Sequence, residues 1–494
     1  MNQQSLMAQE RRSAFSLAAI FSFRMMGLFM ILPVFSLYAE SLEGTHVTPL
    51  LIGLAIGIYG LTQALFQIPF GMLSDRYGRK PVITLGLLIF ALGSIVAAVS
   101  DSISGIIIGR ALQGSGAIAA AVMALAADLT REEHRTKAMA IIGMSIGVSF
   151  AVSLVLGPLL NAWIGVPGIF WLTVVFAFLG IVMVKFIVPD PGKLIVHRDT
   201  EPVPAYFLSV LRNTQLLRLD FGILSLHFML TASFVVLPFA LRDYASIQTA
   251  HHWYIYLPVL LISLIAMVPL VILAEKNQKM KQVYLAAILT LVIAQFAFAG
   301  LYQSAMGLVV ALLIFFLAFN VLEALLPSLI VKYASADKKG TAMGVYSTSQ
   351  FVGAFCGGLI GGAVFGAFGI AGVFLTCAAV GLIWVFWAIS MQSPPYLSSY
   401  MFHIEATESA EIASLEKQLQ ELPGVVEVCI IEEERAAYLK VDKKIVDFQV
   451  LEGFSTHLNE NNGTTGENCA DDTESAGEVG YHGVSAGSKQ ARLD

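Results

Sequence analysis

The stretch GMLSDRYGRK, residues 71–80, crowds four charged side chains between two long apolar runs. Across the chain 57% of residues are hydrophobic and only 13% charged, with a mean hydropathy of +0.75, so clustered charges mark where hydrocarbon-embedded segments end. About 20 apolar residues span a bilayer as a helix. Working outward from residues 71–80, apolar runs between charged or Gly/Pro breaks give twelve such spans, near 14–39, 50–74, 81–100, 103–128, 136–163, 167–188, 216–241, 252–274, 281–302, 305–333, 340–368 and 370–391. The first run follows Arg11 and Arg12, exceeds the apolar stretch of a secretory signal and lacks a small-residue cleavage site, so it reads as a retained helix.

Lys and Arg collect in cytoplasmic loops. With the N-terminus inside, the inner segments before residue 392 hold eighteen basic residues and the outer loops only Arg242. Both termini are therefore expected in the cytoplasm, with the spans in the inner membrane. The four cysteines, Cys356, Cys377, Cys429 and Cys469, have no paired spacing, which suits a reducing compartment. Charge also divides the chain, because residues 1–391 carry 22 basic and 16 acidic side chains and residues 392–494 carry 7 and 19. The expected organisation is a six-helix bundle over 1–188, a cytoplasmic linker over 189–215, a second six-helix bundle over 216–391, a soluble domain over 392–458 and an acidic disordered tail over 459–494. The soluble domain reads βαββα, an α+β ferredoxin-like order without a recognisable last strand.

The two bundles echo each other. IPFGMLSDRYGRK at 68–80 aligns with VPLVILAEKNQKM at 268–280, setting Glu275 under Asp75 and Lys279 under Arg79, and RTKAMAIIGMS at 135–145 matches KGTAMGVYSTS at 339–349 through Ala-Met. Two parallel six-helix repeats are one known way to build a transporter. On these features the chain resembles the major facilitator superfamily, closest to its bacterial YajR-type multidrug/proton antiporters with a C-terminal ferredoxin-like domain. Residues 71–80 fit the family motif between helices two and three, and RALQGSGAIAA from Arg110 fits its fourth-helix motif. The helix-five antiporter motif is partial: Gly143, Gly147, Gly157 and Pro158 are in place, while Leu160 and Asn161 stand where a Gly pair would follow. The fold class implied is an all-α membrane protein of twelve transmembrane helices in two pseudo-repeats, with the small α+β domain appended.

Residue chemistry suggests roles. Gly71 permits close helix approach and Gly78 a tight turn. Asp75 could face the N-terminus of helix eleven near Gly340, where the helix dipole favours an anion, and so latch the inner gate, with Arg76, Arg79 and Asp128 as a rearrangeable charge network and Lys80 completing the gating motif. The competing reading makes these ordinary topology-setting loop charges. Ionisable groups deep in spans are costly and mark pathways. Arg24, Arg110, His227 and Glu323 lie about ten, seven, eleven and seventeen residues into helices one, four, seven and ten. Glu323 is the preferred proton carrier, because apolar surroundings favour a neutral carboxyl that can exchange a proton, and His227 is second. The resemblance assigns Arg110 to proton coupling; Arg24 joins that group or binds an anionic substrate. Each also has a bland reading, as a hydrogen-bonded packing residue or a structural ion pair.

Tyr59, Gln63, Gln67, Gln113, Asn320 and Gln350 are expected to line the substrate pathway. Apolar, aromatic and Met-rich walls suit small amphiphilic molecules. The expected function is a proton-coupled secondary exporter of such molecules, the alternatives being a sugar or metabolite carrier and a membrane sensor or scaffold. No Walker A sequence and no His/Cys cluster appears, so neither ATP hydrolysis, metal nor other cofactor is expected, and the chain does not read as an enzyme. Expected partners are a small-molecule substrate, protons and the lipid bilayer, without nucleic acid, for a monomer. The acidic C-terminal domain is expected to dock on inner loops bearing Lys276, Lys279, Lys281, Lys338 and Lys339.

Overall fold

A computed structural model describes residues 8–42, 47–190, 206–335, 338–394, 398–404, 409–431, 436–442, 445–446 and 450–451. Residues 191–205 of the linker, most of the last expected helix of the soluble domain and the whole of 459–494 lie outside the described residues. Helices α1 (Ala8–Phe29), α2 (Phe35–Glu40), α3 (Pro49–Tyr77), α4 (Arg79–Ala98), α5 (Ile103–Ser115), α6 (Ala119–Asp128) and α7 (Glu132–Phe186) form the first bundle. After the short α8 (Phe207–Arg212), helices α9 (Thr214–Phe239), α10 (Trp253–Lys276), α11 (Met280–Leu301), α12 (Ala305–Tyr333) and α13 (Lys339–Ile389) form the second.

Polar caps set where spans begin. Thr48, Ser102 and Ser304 each accept a hydrogen bond from the backbone three residues on, and Asn213 does so from Gln215 and Leu216, satisfying amides that a helix start leaves open. Among the described residues nine helices are long and apolar enough to cross a membrane. Two of them, of 50 and 51 residues, are double spans, and α1 with α2 supplies the remaining crossing, which makes twelve. The double spans break at Gly165 and Gly369, at equivalent points of the two halves and both at φ 69°, a left-handed conformation that glycine adopts without cost. Trp163 and Phe368, 87% and 76% exposed, sit just before these breaks as interfacial aromatics do.

The structure corrects one span. The continuous first helix expected over 14–39 is two helices, because Pro33 has no amide to donate; residues 30–34 form tighter turns in which Leu32 and Val34 donate three residues back.

Within the halves, α1 packs on α7, α4 on α5 and α7, α10 on α12, and α11 on α12 and α13; across them, α3 packs on α13 and α9. Burial follows: 94% of the apolar window of α9 lies inside the protein against 22% for α10, so α9 is central and α10 faces lipid.

The C-terminal unit has strands β1 (Ser398–His403), β2 (Val425–Ile431) and β3 (Ala436–Val441) with α14 (Ser409–Gln420). The sheet order is β1-β3-β2, antiparallel throughout, the arrangement in which the α14 crossover leaves a gap that β3 fills. Its core gathers Ile404, Ile412, Leu419, Val428, Leu439 and Val441. Lys440 donates to the Ala334 carbonyl just past the end of α12, where a cation complements the helix dipole, and pairs with Glu427 at 3.0 Å. This contact is made by a lysine of the domain on a backbone carbonyl.

Candidate functional site: two gates and a split charged centre

At the basic end, Gly78 (φ 94°) ends α3 and sets Arg79 at the start of α4. The Arg79 guanidinium is buried; its Nε donates to Asp128 Oδ2 at 3.0 Å, and its Nη1 donates to Ser74 Oγ at 3.0 Å and to Asp75. Helices α3, α4 and α6 are therefore tied through one side chain. Lys80 Nζ reaches the Val188 carbonyl and Asp190, both at 2.6 Å, adding the end of α7. Arg76 takes another course and lies over the Tyr77 ring at 5.5 Å. Asp75, Arg79 and Asp128 are thus brought together without Arg76. The Asp75 side chain is 37% exposed, in a groove with Gly71, Ala120 and Ala124 between α3 and α6.

An Asp128→Asn substitution is expected to cost about 3 kcal/mol, because it withdraws charge compensation from a buried guanidinium. A thermal melt of the detergent-solubilised protein checks this, with Asp190→Asn, at an exposed carboxylate, as the near-neutral control.

The second half also turns here through a residue of positive φ, with one charge exchanged. Gln278, aligned with Gly78, also has a positive φ, 55°, but the break there is longer: residues 277–279 separate α10 from α11, where Gly78 alone separates α3 from α4. Glu275 on α10, the counterpart of Asp75, pairs with Lys332 on α12 at 2.9 Å, a base near the end of α12 where the first half ends α6 in the acid Asp128.

The opposite end is shut. Cβ atoms placed at Gly53 and Gly358 would lie 2.0 and 2.4 Å from the facing carbonyl oxygens of Gly358 and Gly53, an approach of α3 to α13 that only glycine allows. Ser36 Oγ donates to the Phe234 carbonyl at 3.3 Å, and Arg242 pairs with Glu40 at 2.8 Å.

Between the two ends the charge is divided by half. In the first half Arg24 donates through Nη2 to Gln63 Oε1, and Gln63 Nε2 to Gln67 Oε1 at 3.5 Å. Arg110 Nη1 donates to Gln113 Oε1 at 2.8 Å, and Gln113 Nε2 to Ser94 Oγ at 2.8 Å. Both guanidiniums lie over the Tyr59 ring, 5.7 Å (Arg24) and 5.0 Å (Arg110) from its centroid. Cation–π attraction offsets part of the cost of burying them. Arg24 Nε and Nη1, Arg110 Nε and Nη2 and the Tyr59 hydroxyl are buried with no hydrogen-bond partner among the described residues.

In the second half, His227 Nδ1 donates to the Ile223 carbonyl at 3.3 Å and Nε2 accepts from Gln350 Nε2 at 2.8 Å, so both ring nitrogens of a neutral imidazole are occupied. That arrangement fits the packing reading of His227. Asn320 Nδ2 donates to Ser263 Oγ at 3.0 Å. Glu323 is different: its Oε2 is buried without a partner. The Tyr346 hydroxyl, also unpartnered, lies close enough to interact electrostatically with Glu323 and with Asp220, whose two carboxylate oxygens are likewise buried and unpartnered. The sequence reading passed over Asp220, since it stands only six residues past the start of α9 and resembles a loop-side charge. Between the two charged sets, Phe150 of α7 stacks on Phe319 of α12 at 5.7 Å and contacts Phe29 at 5.0 Å and Phe316 at 6.2 Å.

Of the helix-five glycines, Gly157 packs on the Met30 carbonyl, where a Cβ would stand at 2.3 Å, and lies beside Pro158; Gly143 and Gly147 have open space around them.

A twelve-span fold of two repeats with this loop motif and a charged interior defines a membrane carrier, and residues 17–357 and 219–400 match the Major Facilitator Superfamily: the chain belongs to it. Residues 405–454 match the YajR YAM domain. The chain is 49% identical over 447 residues to the inner membrane transport protein YajR of Escherichia coli strain K12, covering 90% of this chain and 98% of that one. It is also 31% identical over 140 residues to a class H tetracycline resistance protein of Pasteurella multocida, covering 28% and 34% of the two chains. Among solved structures it matches a bacterial homologue of the human lysosomal transporter Spinster at TM-score 0.65 and 13% identity, over 78% of this chain and 97% of that one, which establishes the fold.

Proposed function

We propose that this protein is a proton-coupled secondary exporter of small amphiphilic molecules, set in the inner membrane with its basic end and both termini in the cytoplasm. The observation that carries the reading is Glu323, a carboxyl with a buried, unpartnered oxygen on a central helix beside the aromatic layer. A structural ion pair would supply a cation there, whereas a carrier of protons must be free to hold and lose one. The Phe29, Phe150, Phe316 and Phe319 layer gives an amphiphile apolar contact between the halves. With the basic end inside, the closed Gly53–Gly358 end faces outward, the disposition of a carrier loaded from the cytoplasm.

On this reading the Asp75 carboxylate exchanges its bond to Arg79 for the N-terminus of α13 when the basic end closes. Asp75→Asn then slows transport about tenfold or more at normal expression, on the scale of a 1.4 kcal/mol bias against the closed state; unchanged transport would dismiss the latch. The test of the function itself is substrate-induced proton flux in proteoliposomes across a panel of dyes, antibiotics and metabolites. Proton movement elicited by amphiphiles supports the exporter, proton movement elicited by sugars alone supports a metabolite carrier, and silence across the panel removes proton coupling.

A further inference from the structure

The first half buries two guanidiniums beside a single aromatic ring without an acid to neutralise them. Among the described residues neither Arg24 nor Arg110 has an ion pair; each has one amide carbonyl as partner, from Gln63 and Gln113. Both side chains are at most 1% exposed. Two like charges held against one ring in a poorly polarisable interior repel each other, and each has lost most of its hydration. An anion held between them would relieve both costs. The open donors have a usable geometry. Arg110 Nε and Nη2 form one edge of the guanidinium, the two parallel N–H groups that grip both oxygens of a carboxylate, and both are unpartnered. Gln113 holds the remaining Nη1 and so fixes the direction of that edge. Arg24 adds Nε and Nη1, and the Tyr59 hydroxyl a further donor.

The surroundings suit the rest of an amphiphile. Phe90 lies 6.0 Å from the Arg24 guanidinium, and Phe351 of the second half packs against the Tyr59 cluster. Tyr59, Gln63 and Gln67 recur every four residues on α3 and lead from the arginine pair toward the basic end, where Gly71 and Asp75 line the groove. At the other end α13 packs on α3, its Phe351 carbonyl 2.5 Å from where a Gly60 Cβ would stand.

We propose that Arg24, Arg110 and Tyr59 form a carboxylate-binding site, and that the amphiphiles this protein carries are anions. The proposal rests on the transport reading above for its cargo, while the site itself stands on the unpartnered donors. It gives the two arginines a substrate-holding role in place of the proton-coupling role that resemblance suggested.

The test uses the full-length protein and several size-matched pairs of aromatic amphiphiles, such as 1-naphthaleneacetate against 1-naphthylmethylammonium. Affinity is read by calorimetry in detergent and proton flux in proteoliposomes. The expected result is that anions bind at least about tenfold tighter than their cationic mates. Arg110→Lys, which keeps the charge but loses the fork, weakens the anions about tenfold. Arg24→Gln and the small change Tyr59→Phe also weaken them, with the cations unaffected. Cations binding as tightly as anions, no anion of the panel binding, or anion affinity unmoved in all three variants would overturn it. Proton flux driven by cations alone keeps the exporter and overturns the anion site; arginine-dependent anion binding without proton flux keeps the site and overturns proton coupling.

Discussion

Glu323→Gln protein in proteoliposomes is expected to bind its substrate and exchange it across the membrane but to move no protons with it, a loss of about a hundredfold or more in coupled flux. That scale is typical when a positioned proton-transfer group is removed. Glutamine keeps the size and hydrogen-bonding capacity of the side chain and removes only the exchangeable proton, so folding should be preserved. Glu323 lies ten residues before the end of α12, about 15 Å along the helix from the basic end. Tyr346 and Asp220 lie on its path to that end, and Asp220→Asn is expected to slow proton release without abolishing binding. Substrate exchange and proton flux must be measured on the same vesicles. Wild-type proton coupling in Glu323→Gln would remove this carboxyl as the carrier.

Gly358→Val is expected to reduce transport by more than tenfold without unfolding the protein, by forbidding closure of the end where α3 meets α13. Its Cβ would stand 2.4 Å from the Gly53 carbonyl and 2.9 Å from the Gly57 amide, both backbone atoms that cannot rotate aside. The halves can relieve the clash as rigid bodies by parting there, which is the other limb of an alternating-access cycle. Spin labels at positions 40 and 242, whose native side chains pair at 2.8 Å, should then report a longer separation in Gly358→Val than in wild type. Unchanged label distances with unchanged transport would show that this contact is not a gate.

Much of this architecture was legible in the sequence because bilayer spans obey a length rule and loops a charge rule. Residues 71–80 announced the turn, and their register with 268–280 pointed to a second turn at the same end, where Gln278 also takes a positive φ. Arg79 and Asp128 were legible as partners, since one lies in the motif and the other ends a span, whereas Arg76, expected with them, lies over Tyr77, and Asp75, expected at the N-terminus of α13, bonds to Arg79. What could not be read was contact between helices remote in sequence. The partner of His227 is Gln350, 123 residues away, and burial of Asp220 depends on helices that arrive much later. Nor does any local pattern say that Tyr59 lies beneath two arginines. Pro33 was legible in principle, but the uninterrupted hydropathy around it hid the break.

The exchanged charge at the two basic-end turns has a mechanical consequence. In the first half the tie is a buried guanidinium that joins three helices, whereas in the second Glu275, whose side chain is 55% exposed, pairs with Lys332. A solvent-washed pair is worth at most about 1 kcal/mol and breaks readily. One half is therefore built as a stator and the other as a spring, and load applied at the centre should bend the second bundle before it disturbs the first.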